Sequence, residues 1–268
     1  MKIAYITMIK DEQDIILDNL NYYKKLGIKD FYIIENGSSD DTLNLITKFK
    51  NDNINDIKVY IEVDKDVGYW QYLRINKLAN IAYNDGCEYI LPVDADEFLF
   101  KEKDGKDFNL NFTAESIIEN LDTNIDCYFF HWWYFRKKDS SPVTRPVFDI
   151  LDRDLYPSLS YTKILVKWKP GMEISQGNHT LHYIEKYKTD KLNNVYFAHY
   201  NLRGYEHCQR KVINLGKAYK KIEETMKHPS IDTYNRYLKE GESVIWEIVN
   251  QEKLVTTELY TKIKKVLL

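Results

Sequence analysis

Apolar positions along the chain switch repeatedly between a period of two, or a continuous short run, and a period near 3.6. Lys2 to Thr7 reads as a buried strand. Asp11 to Leu26 follows with Ile15, Ile16, Leu20, Tyr23 and Leu26 at helical spacing, and Gly27 supplies the stop. Phe31 to Ile34 predicts a second strand, Asn36 to Asp41 a turn, and Thr42 to Phe49 a helix. Lys58 to Val63 predicts a third strand, Tyr69 to Tyr83 a longer helix ending near Gly86, and Glu88 to Val93 a fourth strand. Strand and helix alternate through about the first hundred residues, which predicts an α/β fold with a mostly parallel sheet flanked by helices.

Beyond Phe100 the pattern changes. A polar insertion precedes a helix near Thr113 to Leu121 and an aromatic strand from Cys127 to Phe135. A charged stretch punctuated by proline runs from Arg136 to Pro157, and shorter strands are expected near Tyr161 to Val166, Thr180 to Tyr183 and Val195 to Tyr200. From about Arg203 the spacing is helical almost to the end, which predicts a C-terminal helical extension. The organisation expected is one principal domain over residues 1–202, with a helical segment over 203–268 packed on it. Neither an internal repeat nor a low-complexity segment interrupts it.

Composition narrows the class. At 268 residues, with 44% hydrophobic and 29% charged, the chain has enough apolar surface for a core and is too apolar for disorder. A net charge of −3 gives no electrostatic case for nucleic acid as a partner. Cys87, Cys127 and Cys208 are odd in number, far apart and without a C-x-x-C pair, so neither a disulfide framework nor a zinc site is expected. The start, Met1 to Ile6, is too short for a signal-peptide core, and no later run is long enough to span a bilayer, so a cytoplasmic protein is expected. Lys262, Lys264 and Lys265 beside Val266-Leu267-Leu268 suit peripheral contact with the inner face of an anionic membrane. The 22 tyrosines, with many Lys, Asn and Ile, point to an AT-rich genome and a bacterium.

The candidate chemistry lies at the end of the fourth strand, where the apolar run closes on Asp94-Ala95-Asp96-Glu97. Carboxylates this close repel one another unless a cation neutralises them, and Mg²⁺ and Mn²⁺ prefer oxygen ligands. The carboxyl ends of strands are also where open α/β sheets bind ligands. The Asn36-Gly37-Ser38-Ser39-Asp40-Asp41-Thr42 turn ends the second strand and opens the next helix, offering side-chain oxygens and backbone N–H groups suited to phosphate.

These features in this order resemble the GT-A nucleotide-sugar glycosyltransferases, in particular the family-2-like and family-92-like group. Met8-Ile9-Lys10-Asp11-Glu12 looks like that group's M-K-N-E opening, with Asp11 in place of Asn. Tyr22 to Ile28, then Phe31 to Asp40, look like its Y-x-x-x-L-G segment and the N-G-S-x-D turn that follows. Asp94-Ala95-Asp96-Glu97-Phe98 matches its D-x-D-E-F, and His199-Tyr200 with Glu206 and Lys211 looks like a late H-Y segment that departs from the pattern where Gly204 or Tyr205 replaces Ser. The matches run from residue 1 to about 212, and such short motifs gain force from their order rather than singly.

The resemblance implies a GT-A, Rossmann-like fold and transfer of a sugar from a nucleotide-diphosphate donor to a hydroxyl acceptor, in bacterial surface polysaccharide or lipo-oligosaccharide synthesis. Residues 1–100 would be the nucleotide-binding half and 101–202 the acceptor half. Donor contacts fall on Thr7, Lys10, Glu12, Glu35, Asn36, Ser38, Asp40, Gln71, Arg74, Asn76, Asp94 and Ala95. Mn²⁺ or Mg²⁺ is expected on Asp96, with Asp94 on the ribose or the metal's water, and with a late histidine, His199 or His179, completing the site. The base of an inverting reaction is expected among Asp149, Asp152 and Asp154, within hydrogen-bond reach of the acceptor hydroxyl. Trp132 and Trp133 point to opposite faces of their strand, so one is expected in the core and the other under an acceptor glycan, which could be lipid-linked. Two other readings stay open: a sugar-1-phosphate nucleotidylyltransferase, whose glycine-rich loop is missing where Thr7-Met8-Ile9-Lys10 stands, and a non-catalytic carbohydrate-binding protein on the same fold.

Overall fold

The computed structural model describes residues 1–66, 68–103, 107–108, 112–137, 151–224 and 226–251. The described residues form two compact units. The first comprises Met1–Asp64 and the described parts of Gln71–Trp133 and Ser158–His199.

This first unit is α/β. Its opening elements are β1 (Ile3–Ile9), α1 (Ile16–Lys25), β2 (Asp30–Glu35), α2 (Thr42–Asp52), β3 (Lys58–Val63), α3 (Gln71–Asn84) and β4 (Tyr89–Pro92). There follow in the chain β5 (Glu97–Lys103), β6 (Asp107–Phe108), α4 (Ala114–Glu119), β7 (Cys127–Lys137), β8 (Leu151–Lys167), β9 (Glu173–Ile174), β10 (Leu181–His182), β11 (Thr189–Lys191) and β12 (Val195–Leu202), of which residues 134–137, 151–157 and 200–202 fall in the second unit. Strand order in the large sheet is β3-β2-β1-β4-β8-β7-β12-β5-β6, with β11 beside β7. The alternating first part pairs in parallel, with Ile9 opposite Glu35, Ile6 opposite Pro92 and Ile34 opposite Glu62. Beyond β4 the pairs β4 with β8 and β12 with β5 are antiparallel, while β11 pairs with β7 in parallel.

The reason for the parallel half is burial on both faces. All six residues of β2 are buried, as helix-covered parallel strands require. On one face Tyr5 packs against Tyr23 and Phe31, with ring centroids 5.0 and 5.2 Å apart. On the other, Ala4, Ile6, Tyr32, Ile34 and Ile90 meet Ile75, Leu78, Ala79 and Ala82 of α3.

Two segments differ from the sequence reading. The acidic tetrapeptide is a turn between two strands, closed by the Glu97 N–H donating to the Asp94 carbonyl at 3.0 Å, so Glu97 opens β5 instead of trailing β4. The strand expected near Tyr161 to Val166 is longer than that, since β8 begins at Leu151 within the charged stretch that ends at Pro157. Strand pairing overrides a polar, proline-marked sequence that lacks an alternating pattern.

The second unit holds residues 65–66, 68–70, 134–137, 151–157, 200–224 and 226–251 among the described ones. Its helices are α5 (Tyr205–Lys221), α6 (Pro229–Glu240) and α7 (Ser243–Gln251). Tyr219, Ile222 and Ile231 form its small core, and Tyr69 packs on Tyr219 at 4.6 Å. His228 lies flat on Tyr219 at 3.9 Å and caps α6 by accepting from the Ser230 N–H at 3.2 Å. Among the described residues no helix is long and apolar enough to cross a membrane. The lysines of the expected membrane contact lie outside the described residues.

Candidate active site

The carboxyl ends of β1, β2 and β4 lie side by side, and the residues singled out from the sequence gather there in two groups. The first is the turn after β2. Glu35, only 1% exposed, accepts the backbone N–H groups of Gly37, at 3.2 Å, and Ser38. Asp11 accepts from the Ser39 N–H at 2.6 Å and donates its own N–H to Ser38 Oγ at 2.9 Å. Asp40 accepts the Thr42 and Gln13 N–H groups at 3.0 and 3.2 Å, and Thr42 Oγ1 accepts the Glu12 N–H at 2.9 Å. Lys10 Nζ donates to the carbonyls of Asn36 and Gly37 at 2.9 and 2.7 Å, and Asn36 Nδ2 donates to the Asp64 carbonyl at 2.9 Å. Many of the N–H groups and oxygens expected to meet a nucleotide are thus engaged within the turn or with the segments after β1 and β3. The Asp11 replacement also has a physical reason. Its φ is +53°, a left-handed conformation that Asp and Asn tolerate better than other side chains.

The helix that precedes β4 contributes three polar residues with distinct partners. Arg74 is 5% exposed and grips Asp64 Oδ2 through Nε and Nη2, both at 2.7 Å, with Nη1 against Met8 Sδ at 3.6 Å. Asn76 exchanges two bonds with the backbone of Ile174, at 2.7 and 2.9 Å, and so ties α3 to β9. Gln71 points into the acidic turn, donating from Nε2 to Asp94 Oδ1 at 3.1 Å while its Oε1 accepts the Gly177 N–H at 2.8 Å.

The second group is the acidic turn itself. Asp94 accepts from Gln71, from Asn178 Nδ2 at 3.1 Å and from Lys163 Nζ at 2.7 Å. Lys163 also lies 3.0 Å from Glu97 Oε1 and donates to the Gly177 carbonyl at 2.9 Å. Continuing the antiparallel register in which Ile90 faces Val166 brings residue 163 of β8 level with residue 93, which explains how this lysine reaches the turn. Asp96 turns the other way. Its Oδ1 lies 3.4 Å from His199 Nε2, and His199 is the register partner of Glu97 across β12 and β5. Asp96, Glu97 and His199 are all buried, and one ligand atom from each lies within 4.8 Å of the others.

Two carboxylates and an imidazole are a donor set that Mn²⁺ or Mg²⁺ accepts. Bonds near 2.0–2.1 Å put ligands about 3 Å apart when adjacent and about 4 Å apart when opposite, so the cluster fits such an ion after a small closure. The converging set includes neither Asp94 nor His179. His179 Nδ1 faces the Thr162 carbonyl at 2.9 Å; that oxygen can only accept, so Nδ1 carries the proton and Nε2 is left as the basic nitrogen. Burial, followed by the nearby Lys163 charge, holds the His179 pKa below its ordinary value.

Electrostatics set Glu97 and Lys163 apart. Burial raises the Glu97 carboxyl far above its usual range; Lys163 opposes the rise, and Asp94 and Asp96 add to it. Burial alone would lower the Lys163 pKa, but Asp94 and Glu97 more than reverse that, so the ammonium is held charged. The backbone under the cluster is fixed from α1. The Glu97 carbonyl accepts from Asn19 Nδ2 at 2.8 Å and from Tyr23 Oη at 3.2 Å, and Tyr5 Oη donates to Asn19 Oδ1 at 2.8 Å.

Of the remaining expected contacts, Thr7 is fully buried and Ala95 is 4% exposed. Asp149 lies outside the described residues. Asp152 and Asp154 lie on β8, and Trp132 and Trp133 on β7, with all four side chains outside the described ones. Lys163 is the site residue that sequence reading passes over, and Glu97 reads there as part of the acidic cluster without a role of its own. Its place next to the D-x-D pair marks Glu97; a lysine in an otherwise apolar strand gives no such sign.

No family model and no curated protein matches the chain. Among solved structures, S. aureus TarS aligns over 90% of this chain and 43% of its own, with 14% identity and a TM-score of 0.41. The chain therefore spans less than half the length of that structure. The TarS 1–349 fragment in complex with UDP aligns over 89% and 72% of the two chains, with 13% identity and a TM-score of 0.42. The same fragment with UDP-GlcNAc aligns over 91% and 74%, with 13% identity and a TM-score of 0.41. A likeness this distant carries no argument about activity, which rests on the side chains.

Proposed function

We propose that the chain is a GT-A glycosyltransferase that moves a sugar from a nucleotide-diphosphate donor to a hydroxyl of a glycan or lipid-linked glycan, in bacterial surface polysaccharide or lipo-oligosaccharide synthesis. The observation that carries this reading is the convergence of Asp96, Glu97 and His199 from two strands, beside an Asp94 already neutralised from within. Asp96 and His199 would hold Mn²⁺ or Mg²⁺, beside Glu97, whose Oε1 lies against Lys163. Such an ion supplies Lewis-acid stabilisation of the negative charge on a departing nucleoside diphosphate.

The chain's own residues supply the remainder. Asp94 presents a fixed acceptor to a donor hydroxyl, and Gln71 and Asn178 hold it in place. His179 is oriented by its Nδ1–H bond to the Thr162 carbonyl, which leaves Nε2 as the basic nitrogen of the ring. Asp149 or Asp152 is proposed as the base that takes the acceptor proton, and the outward-facing member of Trp132 and Trp133 as the platform for the acceptor ring.

The test is a panel of nucleotide-diphosphate sugars incubated with the protein in Mn²⁺ or in EDTA, with release of nucleoside diphosphate as the readout. Turnover of one donor in Mn²⁺ and none in EDTA is expected. No release from any donor, or the same release in EDTA, would refute the proposal.

A further inference from the structure

Lys163 is 1% exposed, and a buried ammonium is tolerated only where its charge and its N–H groups are all matched. Here the ammonium donates to Asp94 Oδ2 at 2.7 Å and to the Gly177 carbonyl at 2.9 Å, and it pairs by charge with Glu97 Oε1 at 3.0 Å. Asp94 is correspondingly well filled. Of the roughly four lone-pair sites on its carboxylate, Gln71, Asn178 and Lys163 take three. Its side chain nonetheless stays 32% exposed, whereas that of Asp96 is 4% exposed and faces His199.

We propose that Lys163 is a resident counter-cation that divides the acidic turn into two separately neutralised parts. Asp94 is reserved as a metal-independent acceptor for one ligand hydroxyl, and Asp96 with His199 is left to take a single divalent ion. Lys163 is thus a positioning residue that acts through Asp94 and Glu97 and sets how many cations the site accepts. This rests on the glycosyltransferase reading for the identity of the ligand; the division of charge stands on the distances alone.

The division makes a claim that a purely structural lysine does not. With Lys163 in place, one positive charge already lies between Asp94 and Glu97, so a cation approaching Asp94 is repelled at short range. Remove it, and both carboxylates of that half become available to a metal.

The experiment counts Mn²⁺ ions and measures their affinity by electron paramagnetic resonance of the free ion, with Tm recorded in EDTA and in Mn²⁺. The proteins are the wild type, Lys163→Met, Lys163→Met with Asp94→Asn, Asp94→Asn and Asp96→Asn. The wild type should bind one Mn²⁺. Lys163→Met should bind a second, or bind one at least about tenfold more tightly, and should recover on Mn²⁺ addition the Tm that it loses in EDTA. The double variant should return to one ion with little Mn²⁺ dependence of Tm. Should Lys163→Met not fold, the single variants decide: Asp94→Asn should leave Mn²⁺ affinity within about threefold of wild type, and Asp96→Asn should lower it by more than about tenfold. Unchanged Mn²⁺ binding in a folded Lys163→Met, or equal losses in Asp94→Asn and Asp96→Asn, would overturn the proposal. Nucleotide-sugar turnover is read separately: a protein that partitions Mn²⁺ as stated yet releases no nucleoside diphosphate refutes the transferase reading and leaves the charge division intact.

Discussion

His199 Nε2 stands 3.4 Å from Asp96 Oδ1, and this contact exists because β12 runs antiparallel to β5 with His199 in register with Glu97. Cross-strand partners project to the same face, so the pairing places an imidazole beside the acidic turn without any loop having to fold over it. His199→Ala should therefore lower Mn²⁺ affinity about 10- to 100-fold while leaving the strand pairing intact. Isothermal titration of Mn²⁺ with a parallel Tm measurement checks this; an unchanged affinity would remove His199 from the metal site.

Asn19 governs the same site from beneath. It bridges Tyr5 Oη and the Glu97 carbonyl while fully buried, so Asn19→Leu removes the acceptor of the Tyr5 hydroxyl and leaves the Glu97 carbonyl with its bond from Tyr23 Oη. The expected cost is about 2–4 kcal/mol in chemical denaturation, with weaker Mn²⁺ binding because the first residue of β5 is released. A loss below about 0.5 kcal/mol would show that water replaces both bonds.

Gly177 combines two constraints. Its φ is +79°, and a Cβ built there would lie 2.6 Å from His179 Nε2 and Cδ2, while its carbonyl and N–H serve Lys163 and Gln71. Gly177→Ala should cost about 1–2 kcal/mol from the left-handed backbone alone, and should turn the His179 ring. The imidazole signals in an NMR spectrum would move in the variant; signals at wild-type positions would contradict the crowding.

Asp18 of α1 gives a pH signature of its own. Burial, with repulsion from Asp14 added, raises its pKa from 3.8 to about 6. A raised carboxylate pKa means that the folded state resists ionisation. Stability is then lost as pH rises from the unfolded value through about 6, and the penalty is complete above it. Asp18→Asn should raise Tm at pH 8, and the gain should fade as pH drops below the unfolded value. A variant no more stable than wild type at pH 8 would show that Asp18 is solvated.

How much of this was legible follows from which interactions are local. The strands and helices from β1 to β4 could be read because each carries its own period and stop signal, from Ile15 and Leu20 to Gly27 and Gly86. Asp94 and Asp96 could be read because their repulsion is a property of adjacent residues. Lys163 could not, since in Tyr161-Thr162-Lys163-Ile164 it looks like the outward position of a strand, and its burial depends on carboxylates brought by β4. Arg74 reads as a donor contact, and its pairing with Asp64 beyond β3, at 5% exposure, could not be seen from its own segment. The turn after β2 had its polar residues recognised but not their direction. Asp11, Gln13 and Lys10, from a different segment, decide that.

Asp96 as the metal's carboxylate is the central claim, and the most direct measurement is nucleoside-diphosphate binding by isothermal titration to the wild type and Asp96→Asn, each with Mn²⁺ and with EDTA. The account predicts tight binding by the wild type in Mn²⁺, a loss of at least about tenfold in EDTA, and a similarly weak affinity for Asp96→Asn in both buffers at near-wild-type Tm. Binding by Asp96→Asn that still strengthens in Mn²⁺ as much as wild type does would contradict it.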